Sequence, residues 1–345
     1  MSVQKKKGML MLTDGNSDNA SSRIRALQYI PFFEAQGYKV THIPRVAHRP
    51  SNQISKYTIF PVLKRWYSLK LFLAIVLGKW DLVFIQRIFI SEYLLKRLKK
   101  SSIPIVYDFD DAIYINLKRP DNREKTANMV RYANKVIVST EYLNEFCNYY
   151  GQEPVIIPSP VETDRIRPSE KLQDQIVTIG WIGSPWTSGF LELIEKPLQR
   201  LAEKYIFRFI TVGASSGYKI PGINHIAKSW IFEDENENIG QMDIGLMPLP
   251  DTDWTRMKGG YKLLQYMSAG IPCVASPVGI NQSIIRPGEN GFLVSTEEEW
   301  YLALEKLIGD QELRTKLGAN GRRDAVELYS REVCFEKLLK SIKII

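Results

Sequence analysis

The chain has 345 residues, 44% hydrophobic and 24% charged, proportions usual for a globular protein and a length beyond one ordinary core, so two domains are expected. Lys and Arg number 46 against 38 Asp and Glu, a formal charge of +8, which suits nucleic acid, anionic lipid or phosphorylated small molecules, and equally a solvated basic surface with no partner. Cys147, Cys273 and Cys334 are scattered, and His42, His48 and His225 form no chelating pair, which speaks against a disulfide framework and a zinc site and for thiols in a reducing compartment.

The opening "MSVQKKKGMLMLTDG" has an apolar run too short for a leader and reads as a first strand over 8–13. Further strands are expected at 38–43, 81–86, 103–109, 135–140 and 155–158, with an amphipathic helix between the first two. That helix, "SSRIRALQYIPFFEAQ", sets Ile24, Leu27, Ile30 and Phe33 on one face. The longest apolar stretch, "LKLFLAIVLGKW" over 69–80, is shorter than the roughly 20 residues a bilayer crossing needs. Its favoured reading is a helix packed on a sheet with its basic end in water. The competing reading, given Lys64, Arg65 and Lys70, is an interfacial helix in peripheral contact with an anionic membrane.

A polar, Pro-containing segment, "SPVETDRIRPSEKLQDQ", interrupts the pattern as a linker. Strands resume at 176–183, 205–213, 224–230, 243–249 and 271–276, followed by helices at 297–308, 310–328 and 330–342. Strand–helix alternation of this kind predicts parallel sheets covered on both faces. The expected architecture is α/β, two doubly wound Rossmann-like domains over 1–160 and 176–328. A linker over 161–175 joins them, and a last segment over 329–345 follows. Such sheets bind ligands beyond the carboxyl ends of their strands, so two facing domains would share a cleft.

Strand ends therefore supply the candidate residues. After the first strand, "TDGNSDNASSRIR" has one glycine where a dinucleotide fingerprint needs three, which disfavours a nicotinamide enzyme. Ser21 and Ser22 read as a helix cap, with Arg23 and Arg25 in the first turn. Ordinary capping and contact with a phosphate or acceptor both remain open. Gln86 and Arg87 end the third strand. Asp108, Asp110 and Asp111 crowd the end of the fourth, where mutual repulsion must be offset by cations or polar ligands; capping by Asp111 is the plainer alternative. In the second half, Gly183, Ser184 and Thr187 precede a helix of about 16 residues and suit phosphate oxygens. Trp181 and Trp186 are candidates for stacking, although core packing explains Trp181 as well.

The segment "RMKGGYKLLQYMSAGIPCVASPVG" offers a second helix entrance. Arg256, Lys258 and Lys262 surround Gly259, Gly260 and Tyr261, and a helix N-terminus carries unpaired N–H groups and partial positive charge that favour an anion. The glycines would let backbone approach it, and the Gln265 amide would reach a ribose hydroxyl one turn deeper.

These residues resemble a known family. "YKLLQYMSAGIPCVASPVG" with "PGENGFLV" is similar to the donor-binding half of glycosyltransferase family 4, retaining enzymes of GT-B fold, and "SSRIRALQYIPFFEAQGYKV" with "VYDFDDAIY" resembles the first domain of a bacterial subgroup. The resemblance implies transfer of a sugar, with retention, from a nucleoside diphosphate sugar to a glycan or lipid-linked hydroxyl. It implies no cofactor, no metal and no nucleic acid partner, and a cytoplasmic site of action, at the inner membrane face where the helix reading holds. The family's Glu, seven residues, Glu pattern falls here on Met257 and Gln265, and its diphosphate-binding Arg and Lys are missing. Arg256, Lys258 and Lys262 are then the candidates for that charge. "DTDW", Asp251–Trp254, reads as a turn and not a metal site. The family residue near the anomeric carbon maps onto Asp110 or Asp111, with Asp111 preferred as catalytic. The last helix resembles the family segment that braces the first domain. An epimerase or hydrolase of the same fold, and a non-catalytic nucleotide-sugar-binding protein, are the alternatives.

Overall fold

The computed structural model describes residues 6–45, 59–115, 119–169 and 176–343; the first five residues of the opening segment, His48 and residues 170–175 of the expected linker lie outside the described residues. The chain divides into two compact units, Met1–Ser159 with Cys334–Ile345, and Pro160–Val333.

The first unit is built on a six-stranded sheet of β1 (Lys7–Thr13), β2 (Tyr38–Pro44), β3 (Leu82–Gln86), β4 (Ile105–Phe109), β5 (Lys135–Val138) and β6 (Val155–Ile156). Its order is β2-β1-β3-β4-β5-β6, and the pairings are parallel throughout. Every residue of β3 and β4 is buried, as continuous apolar runs covered on both faces require. Between β1 and β2 the expected single helix is broken into Ala20–Arg25, a 3-10 turn over Leu27–Tyr29, and Ile30–Ala35. Pro31, in the first turn of the last piece, has no N–H to continue a ladder and its ring would clash with the turn before it.

The helix Ile59–Leu77 lies against the helix Glu92–Lys100. The favoured reading, a packed helix with its basic end in water, holds for one face: Leu71 and Ile75 are buried, and Lys64 and Arg65 are exposed. The segment is apolar around most of its circumference, and the unit covers one face of it. Among the described residues no helix is long and apolar enough to cross a membrane.

The last helix, Arg331–Lys343, sends Cys334, Phe335, Leu338 and Ile342 into a core shared with Tyr29 and Phe33. The Phe335 ring meets that of Phe33 edge-on at 4.9 Å.

The second unit repeats the plan with β7 (Val177–Ile182), β8 (Phe207–Val212), β9 (Asn224–Lys228), β10 (Ile244–Met247), β11 (Cys273–Ala275) and β12 (Gly291–Leu293), ordered β12-β11-β10-β7-β8-β9. Strand β12 is an addition to the five expected. Three residues of "PGENGFLV" are too short a run to declare themselves. Residues 161–169, expected to be linker, are tied to this unit: Val161 bridges to Ser330, Arg165 pairs with Glu235 at 2.6 Å, and Arg322 donates to the Thr163 carbonyl at 2.9 Å. Their polar composition serves these bonds.

Candidate functional site

Each sheet has one point where successive strands go to opposite sides: between β1 and β3 in the first unit and between β7 and β10 in the second. Ligands of doubly wound sheets bind at the carboxyl side of such a point. Both carry most of the residues picked from the sequence.

In the first unit, Gln86 organises the strand ends. Its Oε1 accepts from the Asp14 backbone N–H at 3.3 Å and from Ser22 Oγ at 3.1 Å, and its Nε2 donates to Ser21 Oγ at 2.8 Å. Ser21 in turn donates to the Asp110 carboxylate at 2.8 Å. Arg87, held in the left-handed region at φ 58, reaches Asp110 at 3.2 Å and Asp111 at 3.1 Å. Burial alone would lower the Arg87 pKa, but Asp110, Asp111 and Asp14 outweigh it and hold the guanidinium more firmly charged than usual. The offset that three crowded carboxylates demand is therefore met by two arginines. Arg87 takes Asp110 and Asp111, and Arg25 takes Asp108.

That last pair corrects an expectation. Arg25 was a candidate for the acceptor; it is 2% exposed, donates to Asp108 at 3.0 and 2.6 Å and to the Ile157 carbonyl at 2.6 Å. Burial pushes the Asp108 carboxyl up to about 6, with Arg25 opposing the shift. Ser22, also expected on the acceptor side, is fully buried and accepts from the Gly15 N–H at 3.0 Å. The helix cap is Asn19, whose side chain accepts from the Ser22 N–H, so the helix begins at Ala20, at least two residues earlier than the serine pair implied. Arg23 donates to the Ser17 carbonyl at 2.7 Å. Asp111 caps no helix: the chain turns at once, with the Ile113 N–H on its carbonyl at 2.7 Å. Asp110 and Asp111 thus stand at the strand end, half-buried.

In the second unit, β7 and β10 pair only at Ile179–Ile244 and Gly180–Gly245, then part. Tyr266 fills the opening. Its hydroxyl accepts from the Ile182 N–H at 3.0 Å and donates to the Leu246 carbonyl at 3.2 Å. Burial raises the phenol pKa further above its ordinary value, so the donor proton stays. This bond fixes the helix Tyr261–Ser268 against the strand ends. Lys262 follows: its Cε lies 2.7 Å from where a Cβ on Gly183 would stand, and its Nζ 5.5 Å from the Trp181 ring centre. A side chain at 183 would meet the Trp181 ring first and Lys262 next. Lys258 Nζ sits 3.8 Å from the centre of the Trp254 ring. Trp181 is core, as its simpler reading held, and Trp186 is exposed.

Further expectations are modified. Gly260 is buried at φ 66, and a side chain there would meet Ile280 and Ile284 of this chain; its glycine serves the left-handed turn and that packing, not close approach of a ligand. Gly259 is half-buried. Arg256 is engaged by Asp251 at 2.6 and 3.0 Å, in a pair exposed to solvent. Gln265 is 4% exposed, since all of helix 261–268 beyond its first two residues is enclosed. Ser184 heads a 3-10 helix, Pro185–Ile194, and not the first turn of a long α-helix. "DTDW" is the capped start of the short helix Asp253–Arg256.

Sequence reasoning missed the loop after β11. Gly279, at φ 55, packs on the Arg256 backbone. Asn281 is buried, donates to the Ser276 carbonyl at 3.0 Å and has no partner for its Oδ1. The "SPVG" turn was the available signal. Among the described residues no group of three or more His, Cys, Asp or Glu is placed to hold a metal ion.

The two units together are those of the GT-B fold. Residues 173–310 match the family model described as "Glycosyl transferases group 1". No curated protein matches the chain. Among solved structures, a sucrose-phosphate synthase from Thermosynechococcus elongatus is similar at TM-score 0.74 and 14% identity, over 98% of this chain and 99% of that one. A glycosyltransferase from Rickettsia africae ESF-5 is similar at TM-score 0.74 and 15% identity, over 99% of each. HepE of Anabaena, solved in complex with UDP and glucose, is similar at TM-score 0.69 and 14% identity, over 98% of this chain and 100% of that one.

Proposed function

We propose that the protein is a glycosyltransferase that moves a sugar from a nucleoside diphosphate sugar to a hydroxyl acceptor, with retained anomeric configuration. The observation that carries this reading is Lys262, laid over Gly183 at the parting of β7 and β10, within the segment that matches group 1 glycosyltransferases. A nucleoside diphosphate leaves with growing negative charge. A fixed cation and the first turn of a helix aimed at that charge stabilise the transition state more than the ground state. Lys258 is assigned the same task, and lysine charge stands in this reading where other transferases use a metal. A uridine base is favoured by analogy with HepE, whose structure contains UDP.

Asp111 is assigned the reacting hydroxyl and Asp110 its orientation, because Arg87 holds both while Ser21 binds only Asp110. The acceptor is a glycan or a lipid-linked glycan. A second reading, nucleotide-sugar binding without turnover, is favoured by Met257, which brings no carboxylate where the family carries Glu.

The test is a thermal-shift screen against UDP, GDP, ADP and their sugars, followed by sugar release with and without acceptors. A ligand at about 100 times its Kd adds roughly 2.7 kcal/mol, enough for a clear rise in melting temperature. No shift with any of them overturns the proposal; a shift with neither transfer nor hydrolysis selects the second reading.

A further inference from the structure

We propose that the helix Ile59–Leu77 docks the first unit on the surface of an anionic lipid bilayer, lying flat with its outward stripe among the headgroups and upper acyl chains. This does not depend on the transferase reading. The helix has two apolar faces. Tyr67, Leu71, Ala74 and Ile75 form the covered one. Val62, Trp66, Leu69, Leu73 and Leu77 recur at helical spacing on another, and all five are exposed, Val62 at 64%, Trp66 at 61% and Leu77 at 72%. At about 1.5 Å per residue the stripe runs roughly 22 Å. An apolar strip that long in water marks a binding surface, and this helix is too short of apolar length to cross a membrane.

Charge selects the occupant. The helix contains Lys64, Arg65 and Lys70, all exposed, and no acidic residue. The Lys70 ammonium lies 5.3 Å from the Trp66 ring centre, so an indole and a cation sit together, as they do at the level of lipid headgroups. The neighbouring helix Glu92–Lys100 extends the surface. Exposed Tyr93 stacks on Phe72 at 6.5 Å, and Lys96, Arg97, Lys99 and Lys100 stand against one acid, Glu92. An apolar protein groove would need none of these cations, whereas an anionic bilayer is attracted by each of them.

The experiment is flotation of the full chain with phosphatidylcholine vesicles containing phosphatidylglycerol and with phosphatidylcholine alone, at low and high salt. The chain should float with the anionic vesicles and be released by salt. Val62→Ser/Trp66→Ser/Leu69→Ser/Leu73→Ser and, separately, Lys64→Ser/Arg65→Ser/Lys70→Ser should each weaken binding roughly tenfold or more. Thermal melts establish that the variants fold, and the cation variant decides alone should the apolar one fail. Equal flotation with both vesicle types, or none with either, overturns the proposal. So does a wild-type dimer by light scattering that the apolar variant converts to monomer without any vesicle binding, since a second copy then covers the stripe.

Discussion

Arg25 and Asp108 are joined by two hydrogen bonds, of 3.0 and 2.6 Å, with both side chains buried. The pair locks the helix Ala20–Arg25 to the end of β4, and through the Ile157 carbonyl to the segment after β6. Removing one partner leaves a buried charge unmatched, so Asp108→Asn should cost about 3–5 kcal/mol, while Arg25→Met with Asp108→Leu should lie nearer wild type. Urea unfolding of the three proteins checks this. An unchanged midpoint for Asp108→Asn would show the pair to be dispensable.

Lys262→Ala should weaken nucleoside diphosphate binding by roughly 10- to 100-fold, the loss of one charge-assisted contact. The melting temperature without ligand should barely move, because Lys262 is only half-buried. Gly183→Ala should act in the same direction, since the added methyl group would occupy the path of Lys262 beside Trp181. Lys258→Ala should also weaken binding. Titration calorimetry with UDP measures all three, and wild-type affinity in Lys262→Ala would refute its role.

Asp111→Asn should lower turnover by about 10²- to 10⁴-fold, the usual contribution of a group that moves a proton, and leave donor affinity intact. Asp110→Asn should also slow the reaction by loosening Arg87, which holds both carboxylates. Initial rates of sugar transfer alongside donor binding isotherms separate the two effects. Full activity in Asp111→Asn would transfer the catalytic role elsewhere.

The parallel sheets were legible because buried strands are near-continuous apolar runs, as in β3 and β4. The rule that ligands bind beyond their carboxyl ends made Arg87, Asp110 and Gly183 candidates by position alone. What stayed hidden depends on partners far along the chain. Arg25 looks like an available cation until Asp108, 83 residues on, closes over it. Nothing in the order of residues joins Lys262 to Gly183 either. Helix Ile59–Leu77 was legible only in part: its composition reveals apolar faces, but not which of them the rest of the unit covers.

Two histidines make stability depend on pH. His42, on β2, bonds Thr13 Oγ1 at 2.7 Å, and His225, on β9, bonds Thr211 Oγ1 at 2.9 Å. Burial lowers the pKa of each, with Lys70 adding to the effect at His42 and Lys219 at His225. A lowered folded value means that the unfolded chain takes up these protons first. Their contribution is therefore present above the unfolded value, about 6.5, and is lost as pH falls through the folded values. His42→Gln/His225→Gln should accordingly lose less melting temperature between pH 7 and pH 5 than wild type does. The difference should be about 2–4 °C for each kcal/mol of linkage removed. Scanning calorimetry at the two pH values measures it, and an equal loss in both proteins would mean that neither imidazole carries a linked proton.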